Sequence, residues 1–80
     1  MYRLEIYAEK NREDGVNTYP VYLEVNPSKD ELMKVISKYL SDEDTISKQA
    51  KLYNPDYYRF ELYEEHSNVE VLVLSYIDFP

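Results

Sequence analysis

Few residues of this sequence have the type and spacing that catalysis requires. His66 is the only histidine, and it lies in the polar segment 64–68, where side chains are normally solvated. The sequence has no cysteine to act with it, and a single glycine, Gly15, cannot build a glycine-rich phosphate loop. Because catalysis needs several matched groups in a protected cleft, we interpret the chain as a protein that is not an enzyme.

Three consecutive acids, Asp42-Glu43-Asp44, form a run that attracts a divalent cation in some proteins. The run lacks the alternating spacing and the glycine of a calcium-binding loop, so we interpret it as a solvated helix junction. Paired carboxylates of the glycosidase type stay open on sequence grounds, although 80 residues leave little room for a substrate cleft. The sequence therefore predicts neither a metal nor a cofactor.

Tyrosine is the most informative residue type. The chain has ten Tyr, two Phe and no Trp. Tyrosine is enriched in protein interfaces because it offers a large contact area and a polar tip at little entropic cost. The alternative is that cross-strand tyrosine pairs only stabilise a sheet, by about 0.2–1 kcal/mol each.

The charge is strongly negative and unevenly distributed. Sixteen acids oppose nine bases, for a net charge of −7, and residues 53–80 hold six of the acids against Arg59 alone. Such a field repels nucleic-acid phosphates and anionic lipid, and it attracts basic protein surfaces. We expect a basic protein partner, with no direct nucleic-acid binding and no membrane association. The simpler interpretation, that acidic surfaces keep small proteins soluble, stays open.

The hydrophobic pattern predicts one α+β domain over residues 1–80. Alternation predicts strands at 2–9, 18–25, 57–64 and 69–77. A capping box of Ser28 and Glu31 opens a helix over 29–40, and the spacing of Ile46, Ala50 and Tyr53 also fits a short second helix. The order is β-β-α-β-β, with the main helix packed on one face of a four-stranded sheet.

Individual residues refine this prediction. Pro20 predicts an edge position for the second strand, because proline cannot donate to a ladder. The last strand is apolar on both faces, which is typical of a central strand. The polar segment 10–17 predicts a hairpin with a longish loop. The predicted core comprises Leu4, Ile6, Val21, Leu23, Val25, Leu32, Val35, Ile36, Leu40, Phe60, Leu62, Val71 and Val73.

Two segments resemble ubiquitin-like β-grasp domains. LEVNPSKDELMKVISKYL, residues 23–40, is similar to the second strand and helix of that fold, and HSNVEVLVLSYI, residues 66–77, is similar to its final strand. The resemblance implies a mixed sheet with the first and last strands parallel at its centre. It does not imply conjugation, since conjugated members end in Gly-Gly and this sequence ends in Ile77-Asp78-Phe79-Pro80. It does not favour Ras-type partners either, because Glu24 stands where related domains usually present basic residues.

Strand parity predicts the surface that binds. It places an aromatic centre with a rim of carboxylates on the sheet face away from the helix, provided that no bulge shifts a strand by one residue. Glu5, Glu9, Glu70 and Asp78 belong to the rim, opposed by Arg3 and Arg59. The predicted protein-binding residues are Tyr7, Tyr22, Glu24, Glu61, Tyr63, Leu72, Leu74 and Tyr76.

The predicted function is that of a non-catalytic acidic protein, an inhibitor or adaptor that docks this face on a basic, for instance nucleic-acid-binding, protein surface. Phage-type and immunity-type inhibitors offer an analogy of class. Two alternatives stay open: a self-assembling structural subunit that pairs through the Tyr/Leu face or the edge near Tyr22, and a ubiquitin-like interaction domain. Residues 1–10 alternate like a strand and lack the apolar region of a signal peptide, so we expect a cytoplasmic location.

Overall fold

A computed structural model describes residues 1–79. Its elements are β1 (Tyr2–Arg12), β2 (Gly15–Asn26), α1 (Lys29–Ser41), α2 (Glu43–Tyr53), β3 (Tyr57–His66) and β4 (Val69–Asp78). The strands form one antiparallel sheet in the order β2-β1-β3-β4, and both helices pack on one of its faces. The predicted α+β domain with a four-stranded sheet is confirmed, and so is the short second helix.

Polar side chains fix the ends of the helices. Ser28 caps α1 by accepting a hydrogen bond from the amide of Glu31 at 3.3 Å. The reciprocal half of the predicted capping box is absent, since the Ser28 amide donates instead to the side chain of Asn26 at 2.8 Å. Asp42 caps α2 through the Thr45 amide and hydroxyl, and Asn54 ends α2 in the left-handed conformation with φ 46°.

Both hairpins are tight. Only Glu13 and Asp14 separate β1 from β2, and Gly15 follows with φ 140°. The predicted longish loop is therefore wrong, because most of segment 10–17 pairs in the two strands despite its polarity. Ser67 and Asn68 connect β3 to β4 with φ of 48° and 68°, the positive angles that two-residue hairpin turns require.

The core lies between the sheet and the helices. Tyr39 of α1 makes edge-to-face contacts with Tyr58 and Phe60 of β3, with ring centroids 5.7 and 5.6 Å apart. Ala8, Tyr39 and Tyr58 are buried although they were not in the predicted core. Of the predicted core residues, Val21, Val35 and Leu40 are only partly buried, and Leu23, Val25, Val71 and Val73 are exposed. The buried apolar residues are Leu4, Ile6, Ala8, Leu32, Ile36, Tyr39, Tyr58, Phe60 and Leu62.

The strand order differs from two expectations. β2 lies at an edge, as Pro20 predicted. β4, which its apolar pattern placed at the centre, forms the other edge, and within residues 1–79 it pairs with β3 alone. The central pair is β1 with β3, and it is antiparallel. The mixed sheet with parallel first and last strands, which the β-grasp resemblance implied, is therefore not the arrangement of this chain.

Each edge strand contains one β-bulge. In β2, Ile6 lies opposite Tyr22 and Tyr7 lies opposite Pro20, so Val21 is the extra residue. Proline is tolerated beside a bulge, where its missing donor costs no ladder hydrogen bond. In β4, Leu62 lies opposite Leu74 and Tyr63 opposite Leu72, which makes Val73 the extra residue. After each bulge the odd-numbered and even-numbered residues of the strand exchange faces of the sheet.

Candidate protein-binding face

The sheet has one face that neither helix covers, which we call the open face. Its centre is formed by alternate residues of β1 and β3, and its margins by β2 and β4. Of the predicted binding residues, Tyr7, Glu61, Tyr63 and Leu72 lie on it. The register assigns to the open face Arg3, Glu5, Tyr7, Glu9, Thr18, Pro20, Leu23, Val25, Tyr57, Arg59, Glu61, Tyr63, Glu65, Glu70, Leu72, Ser75 and Ile77.

The other four predicted residues lie on the face that carries the helices. Tyr22 and Glu24 follow the bulge at Val21 and lie opposite Ile6 and Leu4, both buried under the helices. Tyr22 lines a pocket of about 390 Å³ with residues of α1 and α2. Their predicted position on the open face was wrong, because the bulge inverts the strand parity on which that position depended.

The same error affects the end of β4. Leu74 and Tyr76 follow the bulge at Val73 and lie opposite Leu62 and Phe60 of the core. The ring of Tyr76 is 6.0 Å from that of Phe60. The rim residue Asp78 is displaced in the same way and lies opposite Tyr58.

Arg59 organises one half of the open face. Its Nε donates to Oε1 of Glu9 at 2.7 Å, and its guanidinium also pairs with Glu61. The same guanidinium lies 4.5 Å from the centre of the Tyr7 ring, within the range of a cation–π contact. Glu9 is only 3 % exposed, and its second oxygen accepts a hydrogen bond from Thr18 at 2.6 Å. The buried carboxylate is thus paired and hydrogen-bonded.

Arg3 has the equivalent role in the other half. Its guanidinium pairs with Glu70 and with Glu5, the latter at 3.5 Å, and lies 4.7 Å from the centre of the Tyr63 ring. The Tyr63 hydroxyl donates to Glu61 and so joins the two halves. The two central tyrosines are therefore stacked on arginines, which supports the alternative that they stabilise the sheet.

These contacts shift the pKa values of the groups involved. The hydrogen bond from Arg3 lowers the pKa of Glu70, and the same bond raises the pKa of Arg3. Burial is the main cause that raises the pKa of Tyr7, and the nearby Glu5 adds to it while Arg59 opposes it. The open face holds five carboxylates and two guanidiniums in all: Glu5, Glu9, Glu61, Glu65 and Glu70 with Arg3 and Arg59.

The margins of the open face are aliphatic. Leu23 and Val25 of β2 are 65 % and 56 % exposed, and Leu72 and Ile77 of β4 are 49 % and 47 % exposed. The sequence had predicted Leu23 and Val25 in the core. The centre of the open face therefore mixes tyrosines with charged side chains, and the predicted carboxylate rim is wrong because the margins are aliphatic.

β4 is the most exposed strand of the sheet, and only Leu74 and Asp78 are partly buried in it. None of its residues is buried, although the segment Val71-Leu72-Val73-Leu74 is entirely apolar. The packing of α1 and α2 is directed to β1 and β2, and Tyr39 extends it over β3. An apolar strand that leaves most of its side chains and one edge exposed is unusual in a monomeric protein.

The residues considered for catalysis are engaged elsewhere or exposed. His66 is exposed at the end of β3 and contacts Glu64. Asp42 is the cap of α2, and its bonds to Thr45 lower its pKa. Within residues 1–79 no group of three His, Asp or Glu side chains is arranged to hold a metal ion. The same residues include no helix long and apolar enough to cross a membrane.

The chain matches no protein-family model, no curated protein and no solved structure. The fold and the site define a small α+β domain with one sheet face covered by helices and one left open. The ubiquitin-like resemblance stays a prediction.

Proposed function

We propose that this protein is a non-catalytic protein-binding module that docks its open face on a basic protein surface. The observation that supports the proposal best is the charge on this uncovered face, five carboxylates with two guanidiniums. Both guanidiniums already pair with carboxylates of the same face, so the remaining charge is negative. Lysine or arginine of a partner would complement it.

The excess is most accessible at one end of the sheet. Glu65 and Glu70 lie directly opposite each other in β3 and β4, where like charges are destabilising. Glu70 is held by Arg3, whereas the exposed side chain of Glu65 has no ion pair among residues 1–79. A cation from a partner placed between the two carboxylates would relieve their repulsion. We therefore regard this acidic pair as the point where a basic side chain docks.

The aliphatic margins supply the apolar part of such an interface. Leu23 and Leu72 are exposed on opposite sides of the polar centre. A partner that covered both margins would exclude water from the carboxylates between them and strengthen each ion pair. The specific form that we propose is an inhibitor or adaptor whose acidic face occupies the nucleic-acid-binding site of a basic protein.

The experiment compares two adjacent glutamates on opposite faces. Wild type, Glu65→Lys and Glu64→Lys would each be used to capture partners from native lysate at low and at high salt. The two variants have the same composition and net charge, but Glu64 lies on the helix-bearing side. We expect a basic protein that is captured by wild type and Glu64→Lys, lost with Glu65→Lys and weakened by salt.

The inhibitor form requires a second measurement on the captured protein. Its affinity for nucleic acid should fall when wild type is added and should be unaffected by Glu65→Lys. Equal capture by the two lysine variants would show that the open face is not the docking surface. Capture without competition would favour the adaptor.

A further inference from the structure

The sequence of β4 and its position in the sheet disagree. Val69–Asp78 has the apolar residues of a central strand, yet it lies at an edge. Val69, Val71 and Leu72 are 60 %, 53 % and 49 % exposed. Another strand at the free edge would pair with the backbone groups of β4 and cover its exposed apolar side chains.

We propose that the strand that pairs with β4 is the β4 of a second copy of this chain. Antiparallel pairing about a two-fold axis perpendicular to the sheet would join two four-stranded sheets into one of eight strands. The order would be β2-β1-β3-β4-β4-β3-β1-β2. The axis leaves both pairs of helices on one side and both open faces on the other, so the interface is isologous.

The two edges of the sheet differ in their protection against such pairing. β2 contains Pro20, and proline on an edge strand blocks the addition of a further strand. Both edge strands contain a bulge, but β4 has neither proline nor lysine nor arginine between Val69 and Asp78. The free edge of β4 is therefore the one that is open to a second copy.

The bulge at Val73 makes the full-length pairing symmetric. A two-fold axis perpendicular to the sheet requires that residues equally far from it face the same side. The midpoint of β4 lies between Val73 and Leu74, where a regular strand would violate this condition. Because the bulge inverts parity there, Leu72 and Ser75 share the open face, and Val71 and Tyr76 share the other face. Each pair can then meet across the axis.

The charges also favour a second copy. In this register Glu70 lies opposite Ile77, and Asp78 lies opposite Val69, so no carboxylate faces another one across the seam. Glu70 is in addition neutralised by Arg3 of its own chain. Away from this seam, the net charge of −7 on each copy repels a second copy and so disfavours other modes of self-association. A basic strand would find no free carboxylate along the apolar middle of β4 to select it.

The test is the molar mass of the purified protein, measured by light scattering after size exclusion over a concentration series. We expect wild type to approach twice its 9.6 kDa as concentration rises. Val73→Lys and Val73→Glu each place two like charges beside the axis, so both should raise the dissociation constant by about tenfold or more. In a complex with a charged partner one sign would strengthen binding, so the loss of binding with both signs indicates self-pairing.

Leu23→Glu is the matched control, because it introduces a charge at an exposed leucine of the opposite edge strand and should leave the dimer intact. Circular dichroism of each variant would confirm that the fold is retained. A wild-type mass of 9.6 kDa at every concentration would overturn the proposal, as would a dimer that Leu23→Glu dissociates and the Val73 variants do not. Glu65→Lys tests the docking surface and should leave the dimer unchanged, so the two proposals fail independently.

Discussion

The Nε of Arg59 lies 2.7 Å from a carboxylate oxygen of Glu9, a glutamate that is almost completely buried although it belongs to the uncovered face of the sheet. Arg59 is roughly one third exposed and lies over Glu9 together with Tyr7. The burial of Glu9 thus results from its neighbours on the same face. The positive charge of Arg59 offsets the cost of removing the Glu9 carboxylate from water.

Replacing Arg59 with methionine should destabilise the protein by about 3 kcal/mol, because it leaves the Glu9 carboxylate buried without its partner. Urea unfolding followed by circular dichroism measures this difference. Arg59→Lys keeps a positive charge, so it should lose less stability than Arg59→Met. The double variant Glu9→Gln/Arg59→Met should be more stable than Arg59→Met alone, since the unpaired charge is gone. Equal stabilities of the methionine and lysine variants would contradict the pairing.

Removing the hydroxyls of Tyr39 and Tyr58 should cost little. Both oxygens are buried, and neither has a hydrogen-bond partner of ordinary geometry within residues 1–79. Burial, followed by the neighbouring Tyr58 hydroxyl, raises the pKa of Tyr39 well above its usual range. We expect Tyr39→Phe/Tyr58→Phe to match or exceed wild type in unfolding free energy, within roughly 0.5 kcal/mol.

Tyr39→Leu is the control for that variant, because it removes the edge-to-face contacts with Tyr58 and Phe60 as well as the hydroxyl. It should be clearly less stable than the phenylalanine double variant. A double variant that lost more than about 1 kcal/mol would show that the two hydroxyls do stabilise the core.

The pair of Arg3 and Glu70 should stabilise the fold only above acidic pH. Arg3 lowers the pKa of Glu70 in the folded protein below its ordinary value of 4.5, so the unfolded chain takes up a proton there first. The contribution of the Arg3–Glu70 pair to the free energy of unfolding is complete above pH 4.5. It is lost as the pH falls through the lowered pKa of Glu70. The stability difference between wild type and Glu70→Gln, measured in urea across this range, should therefore shrink towards zero on acidification. A difference that was constant with pH would exclude the mechanism.

The sequence predicted the elements well and the faces of the edge strands poorly. Alternation and the Ser28 cap are local signals, and they located all four strands and α1 within a few residues. Leu23 and Tyr76 were assigned to the wrong faces, because one bulged residue in each edge strand exchanges the two faces for all side chains that follow it. Pro20 marks the first bulge in the sequence, and we found no residue that marks the one at Val73.

The position of β4 could not be predicted from its own residues. An apolar strand is typical of a sheet centre whether the neighbour comes from the same chain or from another one. Glu9 shows the same limit on a smaller scale, since its polar type predicted exposure and only the placement of Arg59 and Thr18 allows its burial. Both depend on residues distant along the chain.

The sheet order has a consequence for how fast the chain folds. The outer pairs, β1 with β2 and β3 with β4, are hairpins closed by two-residue turns and form between neighbouring residues. The central pair, β1 with β3, joins segments separated by β2 and both helices. Hairpins of this type close in about 1–10 μs, whereas pairing across a long loop must first overcome its closure entropy. We therefore expect the pairing of β1 with β3 to limit the rate of folding, so that substitutions along this seam slow folding more than substitutions in either hairpin turn.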